Sequence, residues 1–223
     1  MHRVLAVVAM LLGAGCVTAA EQEHGRMSDA AAKAAAAIDR CSDRLVSSDA
    51  YQALQGKIPP VGAAPPPIAM QANTAKPTPR EIETLYSLHE VGIAPCRAVA
   101  LRALAQVHPV YVSIKTDQYT QFDALFLGLV QGQATWGDFA RGYNQLNQST
   151  AAKMKAAGEQ IGRQLGQEHE YEVVQRTAAA NALQQWSFQQ QLLNNQRQLI
   201  QQRSAPTMTT CNYVGRNLNC TTF

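Results

Sequence analysis

Aromatic side chains are scarce: Phe, Trp and Tyr together make up 6% of the 223 residues. Alanine and glutamine are abundant instead, a mixture that favours long helices over a dense β-sandwich core. A surplus of one charge is missing as well. The formal net charge is +3, and so balanced a chain lacks the basic footprint of a nucleic-acid binder. Beyond the N-terminus no apolar run is long enough to span a bilayer. HExxH, GxSxG, P-loop, dinucleotide-fingerprint and CxxC patterns are all absent, so no catalytic residue, metal site or cofactor is assigned. Proline is missing from Trp136 to Arg203, which leaves that stretch free to form one uninterrupted helix.

What is present begins with an export signal over residues 1–20. Arg3 supplies a positive n-region, Val4 to Leu12 an apolar h-region, and Thr18-Ala19-Ala20 small residues for cleavage. The apolar run is too short for a permanent span of a bilayer core about 30 Å thick. Removing Arg3 with the signal leaves 18 of the 19 basic residues against 16 acidic ones, a net +2. Two cleavage chemistries compete. Ordinary cleavage after Ala19 or Ala20 gives a soluble periplasmic protein. Gly13-Ala14-Gly15-Cys16 resembles the lipobox of bacterial lipoproteins, which implies lipidation of Cys16 and an outer-membrane anchor, although Leu12 sits four residues before the cysteine rather than three.

The mature chain reads as mainly α. Ser28 can N-cap a helix from Ala30 to about Val46, with Ile38, Cys41 and Leu45 on one face. A short helical turn follows near residues 49–54. Residues 58–79 hold seven of the ten prolines, a density that excludes helix and sheet interior and predicts an extended linker. Thr78-Pro79-Arg80-Glu81 is a helix start with N-cap, N1 proline and capping-box acid. That helix is expected to end near Gly92, and Pro95 to open the next, which runs to His108-Pro109. A further helix should span Pro109 to about Gln131, with a strand at Val110–Ile114 as the alternative. The corner Gly132 to Phe139 combines a left-handed Gly132, a Thr135–Asp138 capping box and Trp136 packed between two helices.

From Phe139 to Leu165 apolar residues recur at a mean spacing of about 3.7, close to an eleven-residue repeat. The stripe weakens at Glu168-His169-Glu170 and resumes with Val174, Ala178, Ala182, Trp186, Leu193 and Ile200. A continuous helix here would measure roughly 100 Å at 1.5 Å per residue. Such a stripe needs cover from the earlier helices, from a second copy or from another protein. Gly158, Gly162 and Gly166 share one helical face, a spacing that fits close soluble helix packing or a local bend.

The tail changes period. Thr207–Val214 and Asn217–Thr222 read as strands around Gly215-Arg216, which suits a type II′ hairpin. That register sets Cys211 opposite Cys220 at a non-hydrogen-bonded pair, within disulfide reach. The remaining mature thiols, Cys41 and Cys96, are expected to form a second bridge between the first helix and the helix after Pro95. A free pair or an intermolecular bond are the alternatives.

Other polar groups carry little signal. Glu168, His169 and Glu170 point apart on a helix and read as a solvated face. His89-Glu90 is the best foothold for an enzyme reading, and Asp39 and Asp43 are flanked by Arg40 and Arg44. A barrel-assembly signal in terminal Phe223 is weaker still, since one hairpin is not a barrel.

The Gly132-x-x-Thr135-Trp136-Gly137-x-Phe139 corner before a long helix, with the two-cysteine tail, resembles a group of exported proteobacterial proteins of unknown function. The resemblance covers about thirty residues. It implies a cell-envelope setting and no activity.

The expected organisation is therefore a signal (1–20), a helical segment (21–57), a linker (58–79), a short-helix bundle (80–134), a long helix capable of coiled-coil pairing (135–205) and a disulfide-closed hairpin (206–223). The expected function is non-enzymatic: a cell-envelope structural or interaction protein that self-associates, or binds another envelope protein, through its long helix. Its alternative is a helical spacer or binding module anchored through lipidated Cys16. Neither reading involves a cofactor or nucleic acid.

Overall fold

The computed structural model describes residues 17–62, 64–203 and 208–222. The n- and h-regions of the signal and Cys16 lie outside the described residues, as do Pro206 and Phe223. The helices are α1 (Ala19–Val46), α2 (Asp49–Ala53), α3 (Ile68–Gln71), α4 (Pro79–Ser87), α5 (Ala94–Ala105), α6 (Pro109–Val130) and α7 (Trp136–Arg203). A π-helical turn, Leu88–Ile93, joins α4 to α5. Strands β1 (Thr209–Val214) and β2 (Asn217–Thr222) form an antiparallel pair. The chain divides into two compact units, residues 1–170 and 171–223.

The first unit is an antiparallel bundle of α1, α5, α6 and the first half of α7. Cys41 of α1 meets Cys96 at the start of α5. Toward the other end, the Arg26 guanidinium donates to the Gln106 carbonyl oxygen at 2.8 Å. Those two ties set α1 and α5 antiparallel. Between α6 and α7, Gln118 donates to Asn147 at 2.9 Å, and Phe122 packs edge-on against Phe139. The bundle core gathers at the α6–α7 corner, where Leu85, Leu88, Phe126, Leu129, Trp136 and Phe139 are buried with Tyr51, Leu54 and Ile58.

Helix α1 starts earlier than the expected Ser28 cap. Thr18 and Glu21 form a capping box: Glu21 N–H donates to Thr18 Oγ1 at 3.1 Å, and Thr18 N–H donates to the Glu21 carboxylate at 2.8 Å. The T-x-x-E signature, Thr18 to Glu21, overlaps the small residues of the cleavage region. Ser28 lies inside the helix.

The break expected near Gly92 does not occur. Backbone angles stay helical from Ser87 through Ala94, and the helix widens to π instead. Pro95 has no N–H and crowds the carbonyl one turn back, and a wider turn accommodates both effects. At Thr78 the capping box with Glu81 forms as expected. Burial pushes the Glu81 carboxyl up, but bonds from Lys57 and Thr78 outweigh it and hold the group below the usual range. Residues 110–114 are helical within α6, so the strand alternative is not realised. The His108 ring accepts the Val110 N–H there as an N-cap.

The largest correction concerns residues 58–79. They are a packed strap, not a free linker. Ile58 and Met70 are buried, and α3 interrupts the extended run. Prolines at 65, 66 and 67 precede that helix, where a missing N–H costs nothing.

Helix α7 is continuous for 68 residues. Its stripe is covered within the first unit: Phe139, Leu146, Thr150 and Ile161 are buried. The close packing expected at all three glycines is not found. A β-carbon at Gly158 would lie 3.2 Å from Tyr111 Oη, whereas at Gly162 and Gly166 it would meet nothing within 4 Å.

Candidate functional sites

The corner residues Gly132, Thr135, Trp136 and Asp138 come together as the sequence indicated. Gly132 has φ +68°, the left-handed conformation past the end of α6 that favours glycine. Thr135 and Asp138 cap each other: Asp138 N–H donates to Thr135 Oγ1 at 3.1 Å, and Thr135 N–H donates to Asp138 Oδ2 at 3.0 Å. The bonds from Thr135, with Arg141 beside them, hold the Asp138 carboxyl below the usual aspartate range. Trp136 is 1% exposed. The strap supplies what the first turn of α7 needs. Trp136 N–H donates to the Ala75 carbonyl at 3.0 Å, and Gly137 N–H donates to the Asn73 carbonyl at 2.7 Å. Arg141 donates to the Gln71 carbonyl. Helix-start N–H groups have no partner within the helix, and here backbone carbonyls 61 and 64 residues upstream serve those of Trp136 and Gly137. The corner is thus a structural joint.

A cavity of about 620 Å³ lies among the four bundle helices. Tyr119, Phe122 and Phe126 of α6 and Phe139 and Tyr143 of α7 line it, and Ile58 and Pro59 of the strap close one side. Size and lining fall within the range of ligand sites between bundle helices. Two cations join the aromatic wall. The Arg97 guanidinium sits 4.9 Å from the Tyr119 ring centre and 5.0 Å from that of Phe122, and its Nη1 donates to Asp123 at 2.7 Å. Lys115 Nζ stands 5.8 Å from the same Tyr119 ring and donates to Gln118 Oε1 at 2.7 Å. Burial pushes the Lys115 ammonium below the usual lysine range. Burial raises the Tyr119 phenol, partly opposed by Arg97, and raises that of Tyr143.

Arg97, Lys115 and Tyr119 were not singled out in the sequence. A signal did exist: Lys115, Tyr119, Phe122 and Phe126 follow steps of four, three and four, which puts a lysine on an apolar helix face. His89, the foothold of the enzyme reading, packs its ring 5.3 Å from that of Phe126, with Nε2 3.7 Å from Asp123. His169 is not on a free face, since its Nδ1 is 3.0 Å from Thr18 Oγ1. Among the described residues no group of three His, Cys, Asp or Glu side chains is placed to hold a metal ion. No helix among them is long and apolar enough to cross a membrane.

In the second unit α7 carries exposed apolar side chains: Trp186 is 61% exposed, Leu193 51% and Ile200 66%. These three repeat at intervals of seven, with Leu192 and Leu199 adjacent and also exposed.

Both disulfides form as expected. Cys41–Cys96 has its Cα atoms 5.5 Å apart, and Cys211–Cys220 has them 3.9 Å apart in the anticipated register. Gly215 alone in the turn has positive φ, as a type II′ hairpin requires. No protein-family model, curated protein or solved structure matches this chain.

Proposed function

We propose that this is a non-enzymatic, exported cell-envelope protein that self-associates through residues 171–203 of α7. The observation that carries this reading is the seven-residue repeat of exposed Trp186, Leu193 and Ile200. An apolar seam with that period fits a paired helix. From Thr177 to Gln202 the only charged side chain is Arg197, so two copies would meet with little like-charge repulsion. Two disulfides that close the predicted pairs fit an oxidising compartment outside the cytoplasm. Sedimentation of the mature chain tests the idea. A dimer or larger species is expected, and Trp186→Glu with Leu193→Glu should give a monomer. A wild-type chain that stays monomeric at high concentration rejects it.

One observation favours the anchored alternative. Thr18 is 2% exposed and both caps α1 and contacts His169, and Ala20 is buried. Cleavage after Ala19 or Ala20 would remove that cap, whereas processing at Cys16 would retain it. Mass spectrometry of the mature N-terminus separates the two. A chain beginning with lipidated Cys16 supports the anchor, and one beginning at Ala20 or Glu21 excludes it.

A further inference from the structure

The cavity of the first unit has a shape and a charge distribution that the scaffold reading does not use. Along α7 its wall runs from Phe139 to Met154, about 22 Å of helix at 1.5 Å per residue. The cavity of about 620 Å³ is elongated along that wall and partly open to solvent. Its two ends differ. At one end Phe126, Phe139 and Ile58 form an apolar floor. At the other, Lys115 on α6 lies level with the Asn147–Met154 stretch of α7, which also supplies Asn147 and Thr150 to the wall.

The two cations of the lining are unequally matched: Arg97 sits midway, over Phe122, and only Lys115 marks the far end. Arg97 is paired with Asp123. Asp39 also lines the cavity but is exposed. Lys115, half-buried, has a neutral amide as its hydrogen-bond acceptor, and among the described residues no carboxylate lies within ion-pair distance of it. Partial burial of an ammonium without a counter-ion carries a cost, and a ligand anion would relieve it.

We propose that this cleft binds a long-chain fatty acid, with the carboxylate at Lys115 and the acyl chain running toward Phe126 and Phe139. The elongated shape suits an unbranched chain, and the aromatic wall of Tyr119, Phe122 and Tyr143 supplies apolar contact along it. Burial of the apolar chain drives binding, and Lys115 fixes its direction.

Titration of the full chain with palmitate, methyl palmitate and acetate tests the proposal by calorimetry. Saturable one-to-one binding of palmitate is expected, with methyl palmitate weaker and acetate undetected. Lys115→Met should weaken palmitate about tenfold or more, the worth of one charge-assisted hydrogen bond. The same change should leave methyl palmitate unaffected, and Lys115→Arg should restore most of the palmitate affinity. Absence of saturable palmitate binding overturns the proposal. So does equal affinity of the wild-type chain for palmitate and its methyl ester, a comparison that stands even if Lys115→Met fails to fold.

Discussion

Thr18 Oγ1 lies 3.0 Å from His169 Nδ1, across 151 residues of chain. The N-cap of α1 therefore meets α7 at the last turn of the first compact unit, which ends at Glu170. One hydroxyl does two jobs: it accepts the Glu21 N–H and shares a hydrogen bond with the imidazole. In a chain that retains Thr18, Thr18→Val should remove both and lower the stability of the first unit by about 1–2 kcal/mol. Thr18→Ser should restore most of it. Urea unfolding followed by Trp136 fluorescence in a Trp186→Phe background measures this. An unchanged midpoint for Thr18→Val would show that the cap contributes nothing.

Three glycines should respond to alanine in different ways. At Gly137 a β-carbon would stand 2.5 Å from the Gln71 carbonyl oxygen and 2.6 Å from that of Asn73. Backbone cannot yield cheaply, so Gly137→Ala should cost about 2–3 kcal/mol and loosen the strap. At Gly92 the neighbour is Leu45 Cδ1 at 2.3 Å, the end of a rotatable side chain, so the cost should be nearer 1 kcal/mol. At Gly162 the space is open, and alanine should stabilise by up to about 1 kcal/mol through helix propensity. Thermal denaturation of the three variants should rank them in that order.

The two disulfides should differ in what they hold. Cys41–Cys96 spans a sequence separation of 55, and the chain-entropy relation assigns such a loop about 4 kcal/mol. Cys211–Cys220 spans 9 and should contribute about 2–3 kcal/mol, all of it local to the hairpin. Cys41→Ser with Cys96→Ser should lower the melting temperature of the first unit sharply. The corresponding hairpin pair should leave that transition in place and lose only the β-strand exchange protection of residues 209–222. A melting curve indifferent to the loss of Cys41–Cys96 would contradict this division.

Acid should destabilise the corner. The Asp138 carboxyl is held low, first by the Thr135 hydroxyl. A depressed folded-state pKa adds stability that is present above the unfolded aspartate value and lost as pH falls through the lower folded one. Asp138→Asn should therefore flatten the acid limb of the stability–pH curve and leave its alkaline side unchanged. Because Glu81 is also held low, part of the limb should remain; a limb as steep in Asp138→Asn as in the wild type would place the titrating group elsewhere.

Much of this fold is written in short stretches of sequence. The Thr78–Glu81 and Thr135–Asp138 boxes, the left-handed Gly132 and the Cys211–Cys220 register each depend on residues only a few positions apart. Their geometry follows from local backbone rules, and the structure reproduces them. The proline-free run from Trp136 likewise forms the continuous helix α7.

Distant packing settled the rest. Composition marked residues 58–79 as a linker, but their carbonyls became the partners of Trp136 and Gly137 N–H groups. Identical glycine spacing did not make Gly158, Gly162 and Gly166 equivalent, because Tyr111 of another helix reaches only the first. The cavity of the first unit exists because four helices leave space around Lys115 and Tyr119, residues that nothing nearby in sequence marks as neighbours of Arg97. Propensity and capping act within a turn or two of chain. Voids, docked straps and buried charges arise where remote surfaces meet.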